Sequence, residues 1–344
     1  MGLTTVLARS AARRAHVLTV EVPGQWALRA TLERRCVARG WVAALSPADA
    51  DVLAVCGRPG PQLRDVIERV WDQMPGPRVR IDIDDPELVD EDLDRAAAAL
   101  IDRERHRHDS GTRAAPHGHD ESHGDGHEHH DMDHGDMDHG DMEMVPAGIA
   151  LADGAEDRDG LEMDVLHVPL GPVLAYWPAG LVLRCSLHGD VIAEAEARIL
   201  DGGRIGSAPT GDGTDAAARQ CDHVTSLLAL AGWPRAAVIA RRARDLLLAD
   251  PRNGGAEEVL DSLHRIVRRS RLLRWSLRDL DGDVYDRLLA RIGRARDRQP
   301  DPLSDRPSPE ALPDLVTGRD VATARLVIAG TAIETAPAGT GGRR

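Results

Sequence analysis

The spacing of apolar residues over the first hundred positions predicts strands and helices in alternation. β-branched runs predict strands at 16–22, 41–45, 50–56 and 78–83. Apolar residues at helical spacing predict helices at 26–40, 63–74 and 86–103. The first helix ends at Gly40 and the second before Pro75. This order predicts a small α/β domain with a mostly parallel sheet over residues 1–103.

The pattern changes at residue 104. From 104 to 160 the chain is dominated by Gly, Asp, His and Ser and has almost no large apolar residue. Such a segment cannot bury enough apolar surface to offset the entropy lost on ordering it. We expect a disordered linker over 104–160, unless bound metal organises it.

Beyond the linker, the pattern predicts an α+β domain over 161–340. Strands are predicted at 161–168, 181–187 and 191–199, the last two joined by a tight turn at His188-Gly189-Asp190. Helices are predicted at 215–231, 234–250, 255–273 and 279–297. A proline-rich linker follows at 298–312, and 319–330 fits either a helix or a strand. We expect a β-hairpin or small sheet followed by a helical bundle.

Histidine and methionine are concentrated within the linker. Ten of the 15 histidines lie between His106 and His139, and Asp-Met-Asp-His-Gly occurs in tandem at 131–135 and 136–140. Imidazole and thioether groups at this density are typical of transition-metal binding. The candidate ligands are His117, His119, His123, His127, His129, His130, Met132, His134, Met137, His139, Met142 and Met144. Thioethers favour copper, because they suit Cu(I), whereas the interleaved aspartates also suit nickel or zinc. The alternative is a solvated linker that binds metal only in the test tube.

Charge and hydropathy exclude several classes of protein. The formal charge is −14, and residues 106–145 hold eleven acidic residues against two arginines. Without a basic face, and with 2% aromatic residues, the chain is not expected to bind nucleic acid. No apolar run approaches the roughly 18–20 residues that span a bilayer, and the basic start of the chain is a poor signal peptide. We expect a cytoplasmic protein without a membrane span, peripheral to the inner membrane only through a partner.

The remaining chemically active residues are scattered. Cys36, Cys56, Cys185 and Cys221 have no CxxC spacing, so we expect structural thiols and no iron–sulfur cluster. The isolated histidines are expected to be structural or surface residues; they are His167, His188, His223 and His264. The arginine-rich stretches 241–244 and 268–271 are interpreted as solvated faces, or as docking sites for an acidic partner or for the chain's own acidic tract. Residues 176–178 either pack against the bundle or line a remnant ligand pocket.

Two groups of motifs carry a family resemblance. The first is Asp49-Ala-Asp-Val-Leu-Ala-Val-Cys-Gly57 with Val70-Trp-Asp-Gln-Met-Pro-Gly-Pro-Arg78, and the second is Gly171-Pro172 followed by the hairpin 180–192 and by Leu312-Pro-Asp-Leu-Val-Thr-Gly318. The first group resembles the small, cluster-bearing subunit of respiratory complex I and of membrane-bound nickel–iron hydrogenases. The second resembles the large, quinone-side subunit of the same complexes. The resemblance implies that both subunit types are fused on one chain.

The family's functional residues are mostly missing. The small subunit holds its cluster with cysteines after the first strand, but this chain has no cysteine between 17 and 35. The large subunit contacts quinone with histidines after Gly-Pro, whereas the loop between Gly171 and Gly180 offers Tyr176 and Trp177 instead. A fold does not carry function once its site residues are gone.

Three hypotheses follow. The leading one is a non-catalytic accessory or assembly protein for a related membrane-bound oxidoreductase complex, which binds transition metal through its histidine-rich loop. The second is a metal-binding, storage or sensing protein for copper, nickel or zinc, with the two domains as scaffold. The third is an NADH–quinone oxidoreductase-type subunit that acts with cluster-bearing partner subunits.

Overall fold

A computed structural model of the chain describes residues 12–112, 153–156, 162–205, 213–250, 254–278, 280, 283–299, 307 and 309–336. These residues form an α/β half before the histidine-rich segment and an α+β half after it. The fold class predicted for each half is confirmed at this level. No helix among the described residues is long and apolar enough to cross a membrane.

The N-terminal half is built on a parallel sheet. Its strands are β1 (His16–Glu21), β2 (Val42–Ala43), β3 (Val52–Cys56) and β4 (Val79–Ile83). Their order is β2-β1-β3-β4, and every pairing is parallel. Strand β3 lies in the middle and is buried at every position, as its continuous apolar run requires of a parallel strand covered on both faces. Strand β2 is shorter than the strand predicted at 41–45.

Helices cover both faces of this sheet. They are α1 (Trp26–Arg39), α2 (Pro61–Gln73) and α3 (Val89–Leu100); a fourth helix, α4 (Arg103–Thr112), follows them and has no buried residue. Side chains of β3 alternate between the faces, so that Leu53 packs with Leu63 and Ile67 of α2, while Val52 packs with Leu93 of α3. The two faces therefore carry separate apolar cores.

Two elements lie inside the range for which a disordered linker was expected. Helix α4 occupies its start, where Arg78 beneath it reaches Asp109 with two guanidinium contacts of 3.1 Å. Strand β5 (Asp153–Glu156) pairs antiparallel with the next strand through the backbone. Neither element depends on an apolar run, which is why the composition did not predict them.

The C-terminal half begins with an antiparallel sheet. Its strands are β5, β6 (Glu162–Leu170), β7 (Leu181–His188) and β8 (Val191–Ile199), paired in that order. The predicted hairpin turns at Gly189, whose φ of +64° suits glycine in a tight turn. A separate two-stranded ladder joins β9 (Arg204–Ile205) and β10 (Thr335–Ala336).

Seven helices of the described residues complete this half. They are α5 (Gly213–Leu230), α6 (Pro234–Ala249), α7 (Gly255–Arg269), α8 (Arg271–Leu277), α9 (Val284–Arg296), α10 (Leu312–Val316) and α11 (Val321–Thr331). The single helix predicted at 255–273 is divided at Ser270, whose hydroxyl accepts a hydrogen bond from Leu273 N at 3.2 Å and so caps α8. The ambiguous stretch 319–330 is mainly helix, capped by Asp320.

The two halves share their apolar cores. Trp26 and Ala30 of α1 belong to the core of the helical bundle, together with residues of α5 and α6. In return, Val182 and Leu200 of the C-terminal half pack into the core that contains Leu63 of α2. Helix α1 therefore has one face in each half, and the junction between the halves is a buried surface.

Candidate functional site

A network of buried charges lies at this junction. Helix α1 contributes Arg29 and Glu33, helix α5 contributes Asp222, and helix α6 contributes Arg244. Arg29 donates to Glu33 and to Asp222 at 2.6 Å each. Arg244, which has no exposed surface, donates from Nη1 to Glu33 Oε2 and Asp222 Oδ1 at 2.8 Å each. Each guanidinium thus connects a carboxylate of one half to a carboxylate of the other.

The network extends on both sides of these four residues. On the sheet side, Arg29 Nε donates to Glu21, the last residue of β1. On the bundle side, Arg219 donates from Nη1 to Asp222 at 2.9 Å, and its guanidinium carbon lies 5.1 Å from the centroid of the Trp26 ring. Arg219 Nε also lies 3.4 Å from Glu334, close to β10.

The ionisation of the network follows from its pairing. Burial alone would raise the pKa of Asp222, but Arg29, Arg244 and Arg219 together hold that pKa well below its usual range. The pKa of Glu33 is likewise lowered, since Arg29 and Arg244 outweigh its burial. Although burial opposes the charge of Arg29, its three carboxylate partners raise its pKa well above the ordinary value. All of these groups are therefore charged at neutral pH.

His223 differs from these charged groups in being neutral at pH 7. Burial and the nearby charge of Arg219 lower its pKa to about 4, despite a 3.3 Å contact between its Nε2 and Glu334. The imidazole is accordingly neutral at pH 7. A general base works best when its pKa lies near the operating pH, so His223 is poorly matched to proton transfer at neutral pH.

A small cavity adjoins the network. Its volume is about 170 Å³, and its lining includes Arg29, Asp222 and His223 together with Tyr176 and Trp177. Ligand clefts usually enclose about 300–1,000 Å³. The cavity is therefore large enough for one small group or for ordered water, and small for a substrate.

The loop over the cavity has a fixed shape. Gly171 has a φ of +85°, and a Cβ there would lie 2.3 Å from Trp177 Nε1 and 2.4 Å from the Leu181 carbonyl oxygen. Only glycine leaves room for Trp177 Nε1 to donate to that carbonyl at 2.8 Å. Arg325 of α11 holds the middle of the loop by donating to Ala175 O at 2.8 Å. The interpretation of residues 176–178 as pocket lining agrees with this placement, and Trp177 also packs against the C-terminal sheet.

The predicted metal ligands, from His117 to Met144, all lie outside the described residues. Within the described ranges, no group of three or more His, Cys, Asp or Glu side chains is arranged to hold a metal ion. The tract's metal chemistry therefore stays a prediction from the sequence.

The four cysteines are free and buried, as expected of structural thiols. Burial raises the pKa of Cys36 to about 12 and that of Cys185 to about 11. Burial likewise raises the pKa of Cys221 to about 12 and that of Cys56 further still. These thiols are therefore protonated at neutral pH and pack as small apolar groups within the cores.

Sequence reasoning missed the charge network. The interpretation of 241–244 as a solvated face is wrong for Arg244, because its side chain is buried between Glu33, Asp222 and Asp245. A signal was present in α1, where Arg29 and Glu33 follow Trp26 at helical spacing on an apolar face. Charged residues at such positions indicate buried partners elsewhere in the chain.

The described residues form a buried, charge-paired junction with a small cavity beside it. Comparison of the chain with protein-family models, with curated proteins and with solved structures finds no match.

Proposed function

We propose that this protein is a non-catalytic accessory or assembly protein for a membrane-bound oxidoreductase complex, with two subunit-like halves fixed together on one chain. The proposal combines the motif resemblance to complex I and membrane-bound hydrogenase subunits with the chemistry of the junction. The observation that carries it is the network of Arg29, Glu33, Asp222 and Arg244 across the junction.

The network supports a scaffold because its groups are already committed to one another. A catalytic carboxylate needs a free oxygen and a suitably placed pKa. Asp222 accepts from three guanidinium groups instead. The adjoining loop, where the resemblance implies quinone-contacting histidines, carries Tyr176 and Trp177 above a cavity of about 170 Å³. These residues fix the halves in place without supplying an acid, a base or a nucleophile.

The test is co-purification from the native host. A tagged chain expressed from its own locus should co-purify with cluster-bearing or membrane subunits of an oxidoreductase, identified by mass spectrometry. A variant with the eight tract histidines from 117 to 139 replaced by serine should retain the same partners. Recovery of the wild-type chain without any such subunit would contradict the proposal.

The metal-binding alternative depends on the histidine-rich tract, which holds twelve candidate ligands between His117 and Met144. If the serine variant loses cellular metal tolerance while the oxidoreductase assembles normally, the protein is a metal-storage or sensing protein. If the partners are recovered together with quinone reductase activity that needs this chain, the protein is a redox subunit whose clusters lie on its partners.

A further inference from the structure

The surface of the C-terminal half carries an exposed patch that is both basic and apolar. It consists of Arg268 and Arg269 at the end of α7 and of Arg271, Leu272, Arg274, Trp275 and Arg278 on and after α8. Leu272 is 74% exposed, the highest value among the large apolar side chains of the described residues, and Trp275 is 61% exposed. We call these residues the α8 patch.

The charge of this stretch is unbalanced. Six arginines and no acidic residue occur between Ser262 and Arg278, in a chain whose formal charge is −14. Among the described residues, Arg268, Arg269 and Arg271 form no ion pair, whereas Arg29 and Arg244 at the junction each pair with at least two carboxylates. Charge screening limits attraction to about 8–10 Å at physiological salt, so the patch attracts anionic groups that come close to its surface.

The apolar side chains of α8 are divided between two sides. Leu273 and Leu277 are buried and anchor the helix on the bundle. Leu272 and Trp275, three positions apart, point about 60° from each other on the outer side, given about 100° per residue. Arg274 packs against helix α9, with its guanidinium carbon 5.0 Å from the centroid of the Tyr285 ring. The outer side therefore presents a leucine and an indole beside guanidinium groups.

We propose that the α8 patch docks the protein on the surface of a membrane that contains anionic lipid. Indole rings favour the headgroup level of a bilayer, and arginines beside them attract anionic headgroups. A leucine side chain can neither stack on a nucleic-acid base nor form a hydrogen bond. It favours binding only through the transfer of its apolar surface out of water. Two apolar side chains on a single short helix offer far less than the roughly 800 Å² per partner of a stable protein interface, whereas a bilayer needs no matching shape.

The experiment measures partition of the full chain between buffer and sedimented vesicles. Vesicles of phosphatidylcholine with phosphatidylglycerol are compared with vesicles of phosphatidylcholine alone. We expect binding to the anionic vesicles that weakens with salt. The variant L272S/W275S should lower the partition coefficient by about tenfold or more, and R268Q/R269Q/R271Q by a similar factor.

The matched control is Val238→Ser on α6, which removes another exposed apolar side chain, 52% exposed, and should leave partition unchanged. Far-UV circular dichroism should be the same for all variants, because every substituted side chain is exposed. Absence of binding to anionic vesicles would overturn the proposal. Equal binding by wild type and L272S/W275S would also overturn it, as would salt-sensitive binding to an acidic polypeptide such as polyglutamate without binding to vesicles.

Discussion

Single residues at the junction are buried together with their charged partners. Asp222 is 4% exposed and accepts hydrogen bonds from Arg29, Arg219 and Arg244. Removal of one member of a buried ion pair leaves the others charged, desolvated and uncompensated. The consequences are measurable for two residues of this cluster.

Asp222→Asn should lower the free energy of unfolding by about 3 kcal/mol or more, because Arg29, Arg219 and Arg244 lose their shared carboxylate. The control is Asp94→Asn, since Asp94 pairs with Arg39 at a site where the carboxylate is 71% exposed. Exposed pairs contribute about 0–1 kcal/mol. Urea unfolding at pH 7 measures both variants, and equal small losses would contradict a structural role for the network.

His223 should make the protein less stable as the pH falls. Its folded pKa of about 4 lies below the ordinary histidine value of 6.5, so its contribution is fully present above about pH 6.5 and is lost progressively towards pH 4. The free energy of unfolding should drop by about 2 kcal/mol between pH 7 and pH 5 through this group. His223→Gln should remove that part of the drop.

His16→Gln is the control for this pH series. A hydrogen bond to Asp49 raises the pKa of His16, so its contribution is present at low pH and lost as the pH rises. In His16→Gln, the free energy of unfolding should therefore fall slightly more steeply between pH 7 and pH 5. A drop that is unchanged in His223→Gln would show that this histidine is not held neutral by burial.

At the level of elements, one half of the chain caps a helix of the other. Asp201, which follows β8, accepts hydrogen bonds from Gln62 N at 2.8 Å and Leu63 N at 3.2 Å, at the start of α2. A further hydrogen bond joins the same two residues, because the side-chain oxygen of Gln62 accepts from Asp201 N at 3.1 Å. A Cβ on Gly60 would lie 2.3 Å from the Asp201 carboxyl carbon, so a larger residue there would displace the capping carboxylate.

Asp201→Ala should lower the free energy of unfolding by about 1 kcal/mol, because both orphan N–H groups of α2 lose their cap. Asp201→Asn should lose less, because its side-chain oxygen still accepts and asparagine tolerates the φ of +55° at this position. Differential scanning calorimetry of the three proteins measures the ranking. Equal stability of the alanine and wild-type proteins would contradict the capping role.

The limits of sequence reasoning are clearest for such long-range contacts. Strands β1, β3 and β4 could be predicted because each is a short run rich in β-branched residues with clear boundaries in the sequence. The cap on α2 could not, because its acceptor lies 138 or more residues away in the chain. The junction network was missed for the same reason, although Arg29 on an apolar helix face indicated that a partner existed.

At the scale of the whole molecule, the histidine-rich tract should bind metal separately from the folded halves. Replacement of its eight histidines from 117 to 139 by serine should weaken zinc or nickel binding by roughly tenfold or more, because imidazole suits these ions. Replacement of Met132, Met137, Met142 and Met144 by leucine should instead weaken Cu(I) binding, since thioether suits that ion. Calorimetric titration measures each. If both variants bind these metal ions as tightly as the wild-type chain, the tract is a linker and not a metal-binding segment.

The proposed accessory role requires that the two halves form a scaffold without a redox centre of its own. The most direct test is the iron and acid-labile sulfide content of the protein purified anaerobically, with the tract's histidines replaced by serine to prevent adventitious metal binding. We predict iron and sulfide far below stoichiometric amounts and no cluster signal in electron paramagnetic resonance after reduction. Stoichiometric iron and sulfide, with a reducible cluster signal, would contradict the claim.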